Sequence, residues 1–193
     1  MFVYLADKFV IGSTSLTYPV YVQPKLDGNR ALAYRKNEEV FLMSRNGLQK
    51  RNPLTHIKTA VKLMLFPDST DYIDGELYTH GMPREQLNGL CNKLTHNDEL
   101  SKKIEFHMFD FVQPNVPNVT FEDRYKELCS RFLPSTALKL VQTDPANSQE
   151  EIIAFHQRYA NEGYEGIIIR KPDGLYENKR YFSWWALLTP DKK

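Results

Sequence analysis

The chain has 193 residues, of which 41% are hydrophobic and 25% are charged, and its formal net charge is +1 at pH 7. These proportions are typical of a soluble globular domain and exclude intrinsic disorder. No apolar run is long enough for a membrane helix, and the N-terminal stretch carries Asp7 and Lys8 where a signal peptide stays apolar. Two cysteines without a Cys-x-x-Cys pair exclude a disulfide framework and leave a structural zinc site unsupported.

Strand-like and helix-like hydrophobic periodicities alternate along the chain. Strands are predicted over 20–23, 29–34, 40–44, 71–78, 104–112, 138–143 and 166–170. Helices are predicted over 53–66, 84–94 and 120–132, and a fourth begins after the capping box of Ser148 and Glu151. The hairpin at 29–44 and the absence of a clear linker predict one α+β domain over 1–193, with antiparallel sheets flanked by helices.

The segment Pro24-Lys-Leu-Asp-Gly-Asn-Arg30 places opposite charges and a glycine between two predicted strands. A lysine such as Lys25 is a nucleophile only when it is neutral. Gly28 permits a tight turn or the close approach of a ligand, and the planar guanidinium of Arg30 suits a phosphate or a ribose. Taken alone, the segment fits a solvated surface turn equally well.

Four further segments combine charge, glycine and strand character. In chain order they are Ser44-Arg-Asn-Gly47, Asp74-Gly-Glu-Leu77, Phe106-His-Met-Phe-Asp110 and Glu165-Gly-Ile-Ile-Ile-Arg170. The first is typical of a turn with positive φ, and a glycine inside a strand, as in the second, indicates a close approach. Each of the first three is more typical of structure than of function when it is considered alone.

Together and in this order, the five segments resemble the covalent nucleotidyltransferase superfamily of ATP-dependent DNA ligases, RNA ligases and mRNA capping enzymes. The chain looks most like the small DNA ligases of phages, large viruses and bacteria, over about residues 20–180. The resemblance implies an adenylation domain with an ATP-grasp-like fold. It also implies that Lys25 attacks the α-phosphate of ATP, that AMP then passes to the 5′-phosphate of a nick, and that the 3′-hydroxyl seals the strand.

The resemblance also assigns roles to single residues. It implies that Asp27 supports the later steps and that Gln23 lies where main-chain groups read adenine. Arg30 and Glu76 would contact the ribose or the nick phosphates, and Phe109 would stack on adenine. Glu165 would lie near the metal and the lysine. These roles involve the residues Gln23, Lys25, Asp27, Arg30, Glu76, Phe109 and Glu165.

The implied cofactors are ATP and Mg²⁺ or Mn²⁺, and the implied partner is nicked duplex DNA in repair, replication and recombination. Arg45 would grip the nick 5′-phosphate, and basic side chains would follow the phosphate backbone. The candidates for this track are Lys50, Arg51, Lys171, Lys179 and Arg180. We expect a monomer that does not associate with a membrane. It would act in the cytoplasm of a cell or of a viral host, and the nucleus is not excluded.

The last motif of the family departs from the expected pattern. Its two lysines correspond to Thr189 and Asp191, and Pro190 would interrupt a strand. No segment for the family's OB-fold domain follows. We therefore expect a truncated chain or an isolated adenylation domain, in which formation of lysyl-AMP is impaired.

Three other interpretations remain open from the sequence. The chain could be an RNA ligase or a capping-type nucleotidyltransferase, which nick sealing on RNA and DNA substrates would separate. It could instead bind ATP or nicked DNA without turnover, as the atypical last motif suggests. The motif matches could also be accidental in an unrelated α+β domain, but five matches in order argue against this.

Overall fold

A computed structural model of the chain describes residues 7–8, 15–94, 99–177 and 184–186, with the backbone alone for 7–8 and 184–186. The chain folds as two compact units. Among the described residues, the first unit comprises 28–94, 99–119 and 123–140, and the second comprises 7–8, 15–27, 120–122, 141–177 and 184–186. The chain passes from the second unit to the first between Asp27 and Gly28. This point lies inside the segment that contains Lys25, where the sequence shows no linker.

Strands and helices alternate in an α+β arrangement. The strands are β1 (Asp7–Lys8), β2 (Val20–Lys25), β3 (Asn29–Lys36), β4 (Glu39–Met43), β5 (Tyr72–Tyr78), β6 (Glu105–Val112), β7 (Leu138–Leu140), β8 (Asp144–Ala146), β9 (Gly166–Arg170) and β10 (Trp184–Ala186). The helices are α1 (Thr55–Lys62), α2 (Arg84–Asn92), α3 (Phe121–Arg131) and α4 (Gln149–Asn161). Within the described residues, no helix combines the length and the apolar character needed to cross a membrane.

The first unit is built on a five-stranded sheet in the order β4-β3-β5-β6-β7. One face of this sheet is apolar, as the alternation in the sequence predicts: Ile73 and Leu77 of β5 are fully buried. They share a core with Ile57 and Val61 of α1 and Leu87 of α2. Because side chains alternate between the two faces of a strand, Arg30 of β3 and Asp74 and Glu76 of β5 lie on the face opposite the helices.

The second unit is built on a sheet in the order β1-β10-β9-β2-β8. The β-branched run of β9 pairs antiparallel with β2, and Ile167 and Ile169 are buried with Val22. Helix α4 packs on the same core. The predicted cap of α4 is confirmed, because the Ser148 hydroxyl accepts a hydrogen bond from the Glu151 amide at 3.2 Å.

Several predicted boundaries were wrong. Helix α1 begins only at Thr55, since Leu54 has a left-handed φ of 42°, and it ends at Lys62 although Leu65 stays buried in the same core. Strand β7 is short, and the three-residue β8 was missed because it contains Pro145, which fits its position at the edge of the sheet. The sheets are mainly antiparallel, as predicted, and they include two parallel pairs, β6–β7 and β1–β10.

Candidate active site

Lys25 is the last residue of β2 and is only 8% exposed. Its position is set by β9, because Lys25 pairs with Gly166 and the Glu165 amide donates a hydrogen bond to the Lys25 carbonyl at 3.1 Å. The same arrangement brings the Glu165 carboxylate into an ion pair with the Lys25 ammonium. The side chain of Glu165 is 33% exposed. The predicted nucleophile and the predicted metal-facing acid are therefore in direct contact, with one side open to solvent.

Gln23 lies two residues before Lys25 on the same strand and is buried. Its side-chain amide donates to the Thr143 hydroxyl at 2.9 Å, and its carbonyl oxygen accepts from Nε of Arg170 at 3.3 Å. The Arg170 guanidinium is also buried, 4.9 Å from the centroid of the Phe121 ring. The Gln23 side chain thus organises the interior of the second unit. The role predicted for its main chain, reading adenine, stays a prediction.

In the first unit, Arg30 is held by a bidentate contact with Asp74. Nε of Arg30 lies 2.8 Å from Oδ1 of Asp74, and Nη2 lies 2.5 Å from Oδ2. Asp74 is fully buried, so the bidentate contact with Arg30 compensates the free-energy cost of burying its charged carboxylate. The Arg30 guanidinium also lies 5.2 Å from the centroid of the Phe109 ring. No role was predicted for Asp74, which pairs with Leu32 and reaches Arg30 diagonally across the two strands.

Phe109 lies at an irregularity in the β5–β6 pairing. Asp74 pairs with Asp110 and Gly75 pairs with Met108, so Phe109 is the extra residue of a bulge. Gly75 is required here, because a Cβ would approach the His107 carbonyl oxygen to 2.6 Å. The glycine inside the predicted strand therefore marks a close approach, as expected.

Glu76 lies opposite Arg30 on β3 and opposite His107 on β6. Gly28 packs so tightly on it that a Cβ there would lie 2.5 Å from Cγ of Glu76. Burial raises the pKa of Glu76 to about 8, while the nearby charges of Arg30, Lys50 and Arg84 act in the opposite direction. The Glu76 carboxyl therefore exchanges a proton close to neutral pH.

Arg45 lies on an exposed turn between β4 and α1. The turn is closed by hydrogen bonds from the Ser44 amide to the Leu48 carbonyl at 2.7 Å and from the Leu48 amide to the Ser44 hydroxyl at 3.1 Å. Gly47 has a φ of 76°, as the Asn-Gly pair predicted. Arg45 is thus presented to solvent by a fixed loop.

The remaining predicted residues differ in their surroundings. Lys50 was expected on the surface, and this was wrong, because it is 8% exposed. Asp27 and Lys171 are partly exposed, in the loop after β2 and the turn after β9. Arg180, Lys179 and the atypical last motif lie outside the described residues. No group of three or more His, Cys, Asp and Glu side chains suited to a metal occurs within 15–94 and 99–177.

Comparison with known proteins gives a consistent result. Residues 6–187 match the family model described as ATP dependent DNA ligase domain. The DNA ligase of an African swine fever virus isolate, Warthog/Namibia, is 30% identical over 176 residues, which cover 88% of this chain and 41% of that protein. The DNA ligase of Enterobacteria phage T4 is 24% identical, over 86% of this chain and 43% of its own length. The chain thus spans about two fifths of these curated relatives.

Solved structures share the fold. Chlorella virus DNA ligase-adenylate matches with a TM-score of 0.67 and 22% identity, over 92% of this chain and 63% of that one. The ATP-dependent DNA ligase of bacteriophage T7, in complex with ATP, matches with a TM-score of 0.69 and 15% identity, over 94% of this chain and 67% of that one. On the extent of the family match, the chain belongs to the ATP-dependent DNA ligase domain family.

Proposed function

We propose that the chain is the adenylation domain of an ATP-dependent DNA ligase and that Lys25 is its nucleophile. The observation that carries this proposal is the contact between the buried Lys25 and Glu165 at the ends of two paired strands. The neutral amine attacks the α-phosphorus of ATP. A bond forms between Nζ and phosphorus, the bond to the bridging oxygen breaks, and pyrophosphate leaves. Glu165 is placed to orient the amine and to accept its proton.

Adenosine recognition is proposed for Gln23, Arg30, Glu76 and Phe109. The Phe109 ring offers a face for adenine, and Arg30 is preorganised by its bidentate contact with Asp74. Glu76 is assigned to the ribose, because a carboxyl group can accept hydrogen bonds from its hydroxyls. Gln23 contributes main-chain groups to the adenine edge. Arranging the substrate in this way supplies much of the catalysis expected for phosphoryl transfer.

Mg²⁺ would neutralise charge on the triphosphate and its leaving group. The donor set fits this ion, since Mg²⁺ in nucleotide sites takes one or two carboxylates together with phosphate oxygens and water. Glu165, one-third exposed beside Lys25, is the carboxylate available for this role. Asp27, in the adjoining loop, is proposed to support the later steps.

Nicked duplex DNA is the proposed second substrate. AMP passes from Lys25 to the 5′-phosphate of the nick, and attack by the 3′-hydroxyl expels AMP and joins the strand. Arg45 is placed on a fixed, exposed turn suited to a phosphate, and Lys171 and Arg180 are further candidates for backbone contacts. These contacts make binding sensitive to salt.

Intact-mass spectrometry tests the proposal. The chain is incubated with ATP and Mg²⁺ beside Lys25→Ala and a control, Lys58→Ala, on a helix of the first unit. We expect a mass gain of one AMP in the wild type and in the control but not in Lys25→Ala. A wild-type chain that binds ATP and gains no mass, or a Lys25→Ala chain that gains it, contradicts the proposal.

A further inference from the structure

Asp110 is a buried carboxylate that directly follows Phe109 on β6. It lies at the bulge in the β5–β6 pairing and is fully buried. Burial of a charged carboxylate is costly unless an opposite charge and hydrogen bonds compensate it. The proposed chemistry assigns no role to Asp110, so its burial calls for a specific reason.

Arg124 of α3 holds Asp110 in a bidentate contact. Nε of Arg124 donates to Oδ1 of Asp110 at 2.7 Å, and Nη2 donates to Oδ2 at 3.2 Å. Nη1 donates to the Val119 carbonyl at 2.6 Å, so each of the three guanidinium nitrogens donates a hydrogen bond. The side chain of Arg124 is only 2% exposed. A lysine could supply the positive charge but not this planar set of donors.

Phe109 is the extra residue of the bulge, so its orientation depends on the residues on either side of it. Met108 pairs with Gly75 and is fully buried in the core of the first unit. Asp110, on the other side, is held by Arg124. Phe109 itself is partly exposed. The contact between Arg124 and Asp110 therefore fixes one of the two ends from which the Phe109 ring is presented.

The bulge also brings two carboxylates together, because Asp110 pairs with Asp74 on β5. Like charges directly opposite each other on neighbouring strands repel. Asp74 is compensated by Arg30, whose guanidinium lies 5.2 Å from the centroid of the Phe109 ring. Because Arg124 compensates Asp110 separately, Arg30 keeps its contact with Asp74 and its place beside the ring.

Stability alone does not explain the buried pair. Well-packed apolar residues in place of a buried ion pair often leave a protein equally stable or more stable. What the pair of Arg124 and Asp110 adds is a fixed geometry, since three directed hydrogen bonds set the position of the Asp110 carboxylate and of Arg124 relative to each other. That geometry is imposed on the residue next to Phe109.

We propose that Arg124 is a positioning residue for Phe109: through Asp110 it fixes the bulge that presents the aromatic ring to adenine. Arg124 acts through Asp110 rather than by touching the nucleotide. This inference rests on the proposed function, because it takes Phe109 as the side chain that stacks on adenine.

The NMR signal of the Arg30 Nε–H group in the whole chain tests the proposal without requiring activity, because this group lies beside the Phe109 ring. The signal is assigned by its loss in Arg30→Lys, and Phe109→Leu shows where it lies without the ring. We expect Arg124→Lys, which keeps the charge but not the bidentate geometry, to move the signal towards its position in Phe109→Leu. Arg158→Lys is the matched control, because Arg158 is exposed and pairs with Glu162, and it should leave the signal at the wild-type position.

A signal that does not move in this direction in folded Arg124→Lys overturns the proposal. If that variant does not fold, Arg124→Met combined with Asp110→Asn replaces it, because the double substitution removes both buried charges together. The same movement of the Arg30 signal is expected there, and its absence has the same consequence.

A second readout is the KM for ATP in adenylylation of Lys25. We expect Arg124→Lys to increase KM about three- to tenfold, with a maximal rate within about twofold of wild type. In a Phe109→Ala background the same substitution should change KM by less than about twofold, because the ring through which Arg124 acts is gone. Equal increases in the two backgrounds would show that Arg124 does not act through Phe109. Failure of the wild-type chain to form the AMP adduct contradicts the proposed function, whereas the Arg30 signal still decides whether Arg124 positions Phe109.

Discussion

The charged groups of the two units are compensated in different ways. In the second unit Lys25 contacts Glu165 directly, and the contact follows from the pairing of two adjacent strands. In the first unit, burial raises the pKa of the Glu76 carboxyl, and the positive charges of Arg30, Lys50 and Arg84 lower it. The direct contact gives the Lys25 ammonium a defined proton acceptor, Glu165. The charges around Glu76 instead change the pKa of its carboxyl group.

The largest effect is expected when the direct pair is broken. Glu165→Gln keeps the shape of the side chain but removes its charge and its ability to accept the Lys25 proton. We expect the single-turnover rate of Lys25 adenylylation to fall by about 100-fold or more. Glu162→Gln is the matched control, because Glu162 is exposed and pairs with Arg158 instead. Equal rates for the two variants would show that the contact with Glu165 has no catalytic role.

The raised pKa of Glu76 should instead be visible in the pH dependence of stability. The pKa of Glu76 in the folded chain, about 8, lies above its unfolded value, so the folded state binds a proton that the unfolded state has lost. The contribution of Glu76 to the free energy of unfolding therefore falls as pH rises from about 4 to about 8 and is level above that. Relative to wild type, Glu76→Gln should gain roughly 2–4 kcal/mol between about pH 5 and 9.

Urea unfolding of the two chains at several pH values measures this difference. Glu99→Gln is the control, because Glu99 is exposed and its contact with Lys102 is a surface pair. The control should follow wild type closely across the range. A constant difference between Glu76→Gln and wild type would show that Glu76 ionises in the folded chain as it does when unfolded.

The close packing that isolates Glu76 can be disturbed directly. In Gly28→Ala the new Cβ would lie 2.5 Å from both Cγ of Glu76 and the Leu77 carbonyl oxygen. We expect a loss of about 1–3 kcal/mol in the free energy of unfolding. Gly89→Ala is the matched control, since no heavy atom lies within 4 Å of its Cβ and alanine favours the helix, so it should stabilise by about 0.5–1 kcal/mol. The same sign for both variants would contradict the packing at Gly28.

The smallest effect concerns a neutral contact in the unit that holds Lys25. Ser148→Ala removes the hydroxyl that caps α4 and should cost about 1 kcal/mol in urea unfolding. Ser130→Ala is the control, since that exposed hydroxyl bonds a carbonyl inside its own helix. Adenylylation by folded Ser148→Ala should match wild type, and a large loss of activity would mean that α4 positions Lys25.

The two units also differ in how far their site residues could be predicted from the sequence. Lys25 and Glu165 were predicted from the order of five segments that resembles the nucleotidyltransferase superfamily, and the structure brings the two residues into contact at the ends of two paired strands. The buried Lys50 was mistaken for a surface charge, since its burial depends on Asn29 and Asn88, which are remote in sequence and carry no hydrophobic signal. The pairing of Arg30 with Asp74 was missed for the same reason: it depends on strand register.

The most direct test of the central claim is to locate the AMP. The chain is treated with ATP and Mg²⁺ and digested at neutral pH, and the peptides are analysed by tandem mass spectrometry. We expect one AMP, joined to Nζ of Lys25 in the peptide that contains the segment Gln23-Pro-Lys-Leu-Asp-Gly28. AMP on Lys50 or any other lysine, or a Lys25 that stays unmodified while the chain binds ATP, would contradict it.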